Sequence, residues 1–427
     1  MVQSNQKEIY RLILDTFVKT CETLKVERGE KRPQSLEDIS LKTLHVIKEA
    51  VYYAVSKGIC GKIEKNISFE NYRPFSDAIA SKIAGKLDIK VQCVIKAGGK
   101  KLEDQIHFIE TKRPEYKPLY PALFGEAKFN KDNDEYNYVC LMEYLANYIS
   151  FHEMIFKSKN QDKLKINKAI NLIFDVLSEI YRKEYNKYSS PNLSLLYLED
   201  RIKSRLNIGR KRFNTEVKFP SVHERVFEDF DDLLEKEIQI EDTVLHSFNH
   251  CLPSIKDVIK EVTPSFTTLV HGDAHPANIM IDLFNIDSPV RFLDPNVYIK
   301  NSDYLYDMGK MIHWLDKFGF IALETATSKK IVNVTSQSVN GKIKIQYEFD
   351  SSFPNINRIC ELKDYSLECV YKHTEAIADY FKDTHWKKRL DIAIASAYIG
   401  GLAYVDRPNQ FLICLVEALR YLNKFLE

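Results

Sequence analysis

Strand-forming runs crowd into one part of this chain, and the remainder is mostly helical. From about residue 61 to Leu145 the runs ISF, AIASKIA, IKVQCVIK, YPALFGEAKF and YNYVCLMEYL are short and rich in β-branched and aromatic residues. NYRPFSD, Gly98-Gly99 and the polar turn KDNDE punctuate them, and LEDQIHFIETK interrupts them as an amphipathic helix. From Leu145 to Thr268 helical periodicity dominates, and the basic stretch RIKSRLNIGRKRF and the acidic stretch HERVFEDFDDLLEKE read as solvated helix faces. Strands return at TTLVHGD, NIMID and RFLDP, and Asn340-Gly341 within IVNVTSQSVNGKIKIQYEF predicts a hairpin before three closing helices. Segregating strands from helices predicts an α+β chain and argues against an alternating, doubly wound sheet. The expected parts are a small antiparallel sheet with one helix over residues 61–144 and a larger, mostly helical part over 145–427. Before them, Ile9, Leu12, Ile13 and Phe17, then Leu41, Leu44, Ile47 and Val51 after the start signal SLED, predict a helical extension over residues 1–60.

Charge narrows the partners. The 427 residues include 61 basic and 60 acidic side chains, so no bulk field points to nucleic acid or an anionic membrane. The N-terminal MVQSNQKEIYRLIL lacks a leader pattern, and the apolar stretch around Ile392 to Val405 is broken by Ser396, Gly400 and Gly401, which argues against secretion and membrane spanning. Eight cysteines without a C-x-x-C pair read as reduced thiols of a cytoplasmic protein.

The densest polar constellation is LVHGDAHPANIMID, residues 269–282. Phosphoryl transfer needs a carboxylate to orient and deprotonate a hydroxyl, oxygen ligands for Mg²⁺ between the phosphates, and a cation on the nucleotide. Asp273 supplies the carboxylate, Asn278 a neutral amide oxygen, and Asp294 in FLDPN a hard anionic oxygen. A hairpin built from TTLV, NIMI and VRFL is expected to bring Asn278 and Asp294 together.

His271-Gly272-Asp273-Ala274-His275-Pro276-Ala277-Asn278, succeeded by Leu293-Asp294-Pro295 and then SDYLYDMGKMI, resembles the aminoglycoside phosphotransferase and choline kinase-like family. The resemblance implies a two-lobed protein-kinase-like fold, with a small antiparallel N-lobe and a larger helical C-lobe, and ATP and Mg²⁺ as cofactors. Asp273 and His275 then belong to the catalytic loop, Asn278 and Asp294 to the metal site, and Asp307 to the helix that supports the loop. His275 either touches the γ-phosphate or is hydrogen-bonded within the loop, and His271 positions the backbone. Upstream, Lys96 looks like the strand lysine that contacts the α- and β-phosphates, with Glu103 as its partner and Asp104 or Glu110 as alternatives. Ser76 takes the place of a phosphate-covering residue, and Met142, Tyr144 and Leu145 that of the adenine hinge.

Asp294 and Asp307 lie too close in sequence for a peptide-binding activation segment, and no A-P-E comes after them. The resemblance therefore implies a small-molecule hydroxyl acceptor, such as a sugar, amino sugar or aminoglycoside. A regulatory nucleotide-binding module governed by residues 1–60 is the competing expectation.

Overall fold

Pairing of the β-branched runs gives the first sheet, in the order β1-β2-β3-β5-β4 and antiparallel throughout: β1 (Ser68–Asn71), β2 (Ile79–Lys86), β3 (Lys90–Gly98), β4 (Leu123–Lys128) and β5 (Tyr138–Glu143). The computed structural model describes residues 68–71, 79–86, 90–112, 114–128, 138–157, 162–217, 226–299 and 301–427, so the expected helices of residues 1–60, Ser76 and the turn KDNDE lie outside the described residues. Gly99 releases the chain from β3 into α1 (Lys100–His107), whose Leu102 and Ile106, one turn apart, pack on Tyr138 and Cys140 of β5. Lys96 is paired directly with Cys140 across the sheet, so both point to the face that α1 covers, and Lys96 is buried.

The chain divides between Tyr148 and Ile149 into two compact units. The second begins with β6 (Ile149–Ser150) and α2 (Phe151–Phe156), where the Ser150 hydroxyl accepts from the Glu153 amide at 3.1 Å as an N-cap. Asp162 caps α3 (Lys163–Lys183) in the same way, accepting from the Lys165 amide at 2.9 Å. A wide-turned helical segment, Ser194–Lys203, runs into α4 (Ser204–Thr215). Next come α5 (Phe230–Glu235), β7 (Ile238–Ile240), β8 (Thr243–Leu245) and α6 (Phe248–Val262). The central part comprises β9 (Thr268–Leu269), β10 (Ile279–Ile281), β11 (Val290–Phe292), β12 (Asn301–Ser302) and α7 (Leu305–His313), which continues through Trp314–Phe318 into α8 (Gly319–Thr327). The hairpin β13 (Val332–Val339) and β14 (Lys342–Phe349) turns at Asn340 and Gly341, both at positive φ, as the Asn-Gly signal requires. Helices α9 (Ile356–Phe381), α10 (Trp386–Gly401) and α11 (Pro408–Leu426) close the chain, and α10 and α11 form its most buried layer.

Three sequence expectations need correction. The segment before Thr268 is not helical throughout, because IQIEDTVL forms β7 and β8. β7 docks in parallel on β14, about a hundred residues later, and that distant partner decides its conformation over any local preference. The acidic stretch is helical only over Phe230–Glu235 among the described residues. TTLV does not join NIMI and VRFL: β9 pairs with β12, while β10 pairs with β11 and with β6.

Two features fix α7, the helix behind the polar loop. Gly309 lies against α10 so closely that a Cβ there would stand 2.6 Å from the Ala393 methyl. Ahead of the helix, Arg389 is buried between two carboxylates, with Nε 3.0 Å from Asp303 and Nη1 2.9 Å from Asp383. Asp303 in turn accepts from the Leu305 amide at 3.2 Å, and Tyr304 donates to Asp383 at 3.0 Å. An ion pair this enclosed is tolerable only because each oxygen has further donors, and the outcome is a fixed start for α7.

Candidate active site

The loop from His271 to Asn278 turns sharply and is held from beneath by one side chain. Asp307, fully buried on the first turn of α7, accepts from the backbone amides of His271 and Gly272, both at 2.8 Å, and from the Tyr181 hydroxyl at 3.0 Å. Burial pushes its carboxyl up to about 6, against the pull of those three donors. Gly272 takes φ +75°, and a Cβ there would sit 2.8 Å from the Asn296 carbonyl oxygen. The same Asn296 donates its amide to the His271 carbonyl at 2.8 Å, so the segment after β11 is locked onto the loop.

Asp273 emerges from this turn. Its amide donates to His271 Nδ1 at 3.2 Å, which directs the ring proton to the other nitrogen. Burial opposes ionisation of the Asp273 carboxyl, yet Lys310, with Nζ at 3.1 Å, and then His275 overcome it and hold the group well below the usual carboxylate range. Asn278 donates its side-chain amide to the Asp273 carbonyl at 2.9 Å, so the amide oxygen, on the other branch, is turned away from that contact. The Asn278 carbonyl accepts the Leu293 amide at 2.8 Å, which extends the β10–β11 pair and brings Asn278 beside Asp294.

Asp294 has φ +57°, a left-handed conformation that costs a residue with a Cβ about 1 kcal/mol or more. His271 lies within electrostatic reach of both Asp273 and Asp294, although burial prevails and draws its imidazole down to about 4. One imidazole thus lies within reach of carboxylates from two segments, the loop and the end of β11. His275 stacks on Trp314 with ring centroids 4.2 Å apart, and its Nε2 is 3.7 Å from Asp273. Trp314 itself donates to His152 Nδ1 at 3.1 Å, which fixes the platform under His275.

Hard oxygens from Asn278 and Asp294, adjacent across β10 and β11, make a donor set suited to Mg²⁺, which commonly takes one or two protein ligands and fills its octahedron with water and phosphate. No group of three His, Cys, Asp or Glu side chains that could hold a metal ion occurs among the described residues.

The other expected site residues belong to the first unit. Lys96 is buried on β3. Glu103 on α1 is 3.6 Å from Lys100, which also pairs with Asp104 at 2.9 Å, and Glu110 pairs with Lys117 at 2.5 Å. Met142 packs at the margin of the core formed by Leu102, Ile106, Tyr138 and Cys140. Tyr144 and Leu145 lie in a tight turn, their carbonyls accepting from Ala146 at 2.9 Å and Tyr148 at 3.1 Å.

Lys310 is a site residue that sequence reasoning passed over. It lies three positions after Asp307 on one helix face, and that spacing is the signal that could have found it. Trp314, one turn further on, carried no comparable signal. No helix among the described residues is long and apolar enough to cross a membrane. No protein-family model matches this chain, and no curated protein matches it in sequence.

Proposed function

We propose that this chain is an ATP-dependent phosphotransferase of the aminoglycoside phosphotransferase and choline kinase-like type, with the two-lobed kinase-like architecture, acting on a hydroxyl of a small molecule. The observation that carries the reading is the turn in which Asp307 clamps two successive backbone amides at 2.8 Å while Asp273 is kept ionised and Asn278 stands beside Asp294. A purely structural turn has no need of a strained aspartate at 294 and a lysine-paired one at 273, both within reach of His271.

In this reading the acceptor hydroxyl hydrogen-bonds to Asp273, which aims its oxygen at the γ-phosphorus of ATP. The new oxygen–phosphorus bond forms as the bond to the β,γ-bridging oxygen breaks, ADP departs with that electron pair, and the hydroxyl proton passes to Asp273. Asn278 and Asp294 would hold Mg²⁺, which when bound neutralises charge on the phosphates. Lys96 supplies the cation for the α- and β-phosphates, Glu103 orients it, and Met142, Tyr144 and Leu145 border the adenine. His275, stacked on Trp314, keeps its ring near the Asp273 carboxylate and so near the transferring group.

The test is ATP consumption across a panel of hydroxylated acceptors, with nucleotide binding measured in parallel for the parent and Asp273→Asn. Loss of about 10²–10⁴ in turnover with nucleotide affinity retained is expected. Near-parental turnover in Asp273→Asn would end the proposal, and nucleotide binding with no turnover of any acceptor would favour a regulatory nucleotide-binding module.

A further inference from the structure

The basic stretch RIKSRLNIGRKRF does not behave as one solvated face. Lys203 pairs with Glu199 at 2.8 Å, Arg210 with Asp231 at 2.6 Å, and Arg212 with Glu216 at 2.6 Å and with Asp406 at 2.5 Å. Arg201 and Arg205, one helical turn apart and both half-buried, have no carboxylate within ion-pairing distance among the described residues. Arg201 turns instead toward α7. The Arg201 guanidinium carbon lies 5.3 Å from the centre of the Tyr306 ring, and Lys310 Nζ lies 6.0 Å from that same centre.

Tyr306 is the residue before Asp307, and its ring is buried. Its hydroxyl is enclosed and has no hydrogen-bond partner among the described residues, and it lies within electrostatic reach of Arg201 and Arg205 and of the Asp273 and Asp307 carboxylates. An enclosed hydroxyl of this kind calls for a partner, and one that a ligand could supply. Around Tyr306, then, stand Arg201, Arg205 and Lys310 and an unsatisfied donor, against the carboxylates of Asp273, which Lys310 already engages, and of Asp307, which the loop amides already engage.

We propose that Arg201, Arg205 and the Tyr306 hydroxyl form an anion-recognition subsite for the acceptor, which carries a carboxylate or phosphate on the same molecule as the hydroxyl presented to Asp273. This rests on the phosphotransferase reading of that loop. A cationic acceptor would meet like charge from Arg201 and Arg205 as well as Lys310, and a neutral one would leave two guanidiniums without counter-charge. An anionic group satisfies both arginines through their paired N–H donors and accepts from Tyr306. Lys310 is already engaged by Asp273, so the two arginines carry the recognition.

The experiment uses the full chain and matched probes: glucose, glucosamine, gluconate and glucose 6-phosphate. ATP consumption is measured with each, and binding of gluconate and glucose 6-phosphate is measured separately by calorimetry at saturating ADP, so that the nucleotide site is filled. The expected result is turnover of an anionic member in preference to glucose and glucosamine. Arg201→Gln/Arg205→Gln should raise its KM at least tenfold with KM for ATP unchanged, and Arg201→Lys/Arg205→Lys should recover part of the loss. Whichever of the two anions binds tighter names the group as carboxylate or phosphate. Preference for glucosamine or glucose overturns the proposal, as does anion binding that is absent or indifferent to both arginines. Arginine-dependent anion binding with no turnover of any probe supports the subsite and counts against the phosphotransferase reading instead.

Discussion

Replacing Asp307 by Asn separates the clamp beneath the loop from the chemistry above it. One carboxylate oxygen accepts from the His271 amide and the Tyr181 hydroxyl, and the other from the Gly272 amide at 2.8 Å. An asparagine side chain has one oxygen and one NH₂ group, so in either orientation one backbone N–H faces a donor. A buried N–H left unpaired costs about 1–3 kcal/mol, which corresponds to roughly 5- to 150-fold faster local opening at that amide. Hydrogen exchange on a peptide covering residues 269–274 reads this directly. The ionisation of Asp307 adds a pH signature. Its carboxyl is raised from 3.8 to about 6, so the folded state holds the proton more tightly than the unfolded one. The parent should therefore be most stable, as far as this group is concerned, below pH 4, and lose about 3 kcal/mol as pH rises through 6. Asp307→Asn, which cannot ionise, should lack that slope in denaturant titrations at a series of pH values. Unchanged exchange at His271 and Gly272, together with a parental pH slope, would refute the assignment of Asp307 as the clamp.

Asp294→Gly relieves the left-handed backbone at φ +57° and should leave thermal stability equal or raised by about 1 kcal/mol, while Mg²⁺-dependent nucleotide binding measured by calorimetry falls at least tenfold. Gly309→Val drives a side chain into Ala393, where even a Cβ would stand at 2.6 Å; a loss of about 2–4 kcal/mol in urea unfolding is expected, with loop exchange rising because α7 carries Asp307. Lys310→Met removes the cation 3.1 Å from Asp273, and because that carboxylate keeps 33% of its surface in solvent the stability cost should stay near ~1–3 kcal/mol. In the parent, the depressed Asp273 carboxyl contributes stability at neutral pH that is lost only as pH falls below its ordinary 3.8. In Lys310→Met the folded-state carboxyl is less depressed, so that contribution should be smaller and its loss complete at a higher pH, and the acidic limb of any turnover profile should move up.

The parts legible in the sequence were those written in short range. Asp273 and Asn278 share one turn, and Leu293 comes soon enough after Asn278 for a two-strand pairing to be inferred from the runs NIMI and VRFL. Asn340-Gly341 specified its hairpin because only such residues take two successive positive φ angles readily. The features that escaped were set by distant partners. β7 is a strand because β14 offers it an edge, and Arg201 faces Tyr306 because the helical segment Ser194–Lys203 packs beside α10 and α7. The expectation that Glu103 partners Lys96 rests on its position on a helix, and the same position offers it Lys100 three residues away, at 3.6 Å. Composition alone makes a charge run look like one solvated face, although its members divide by which side of the helix they occupy.

The pairing of Asp273 with Lys310 bears on what a carboxylate at that point can do. A general base works best with a pKa near the working pH, and Asp273 is held far from that by Lys310 and His275 despite its burial. As a proton acceptor in the ground state it is weak. In a loose phosphoryl-transfer transition state the hydroxyl keeps its proton until the phosphoryl group is largely detached, so strength as a base matters less than a fixed direction for the hydrogen bond. The turn provides that direction: Gly272 and Asn296 interlock, Asp307 holds two consecutive amides, and Asn278 ties its side chain to the Asp273 carbonyl at 2.9 Å. Lys310 then serves a second purpose. By holding the Asp273 carboxyl below the usual carboxylate range, it would present an acceptor rather than a donor to the hydroxyl of the proposed reaction. The proposed anionic acceptor would lie close to that same carboxylate, and Arg201 and Arg205 would then offset the repulsion between them.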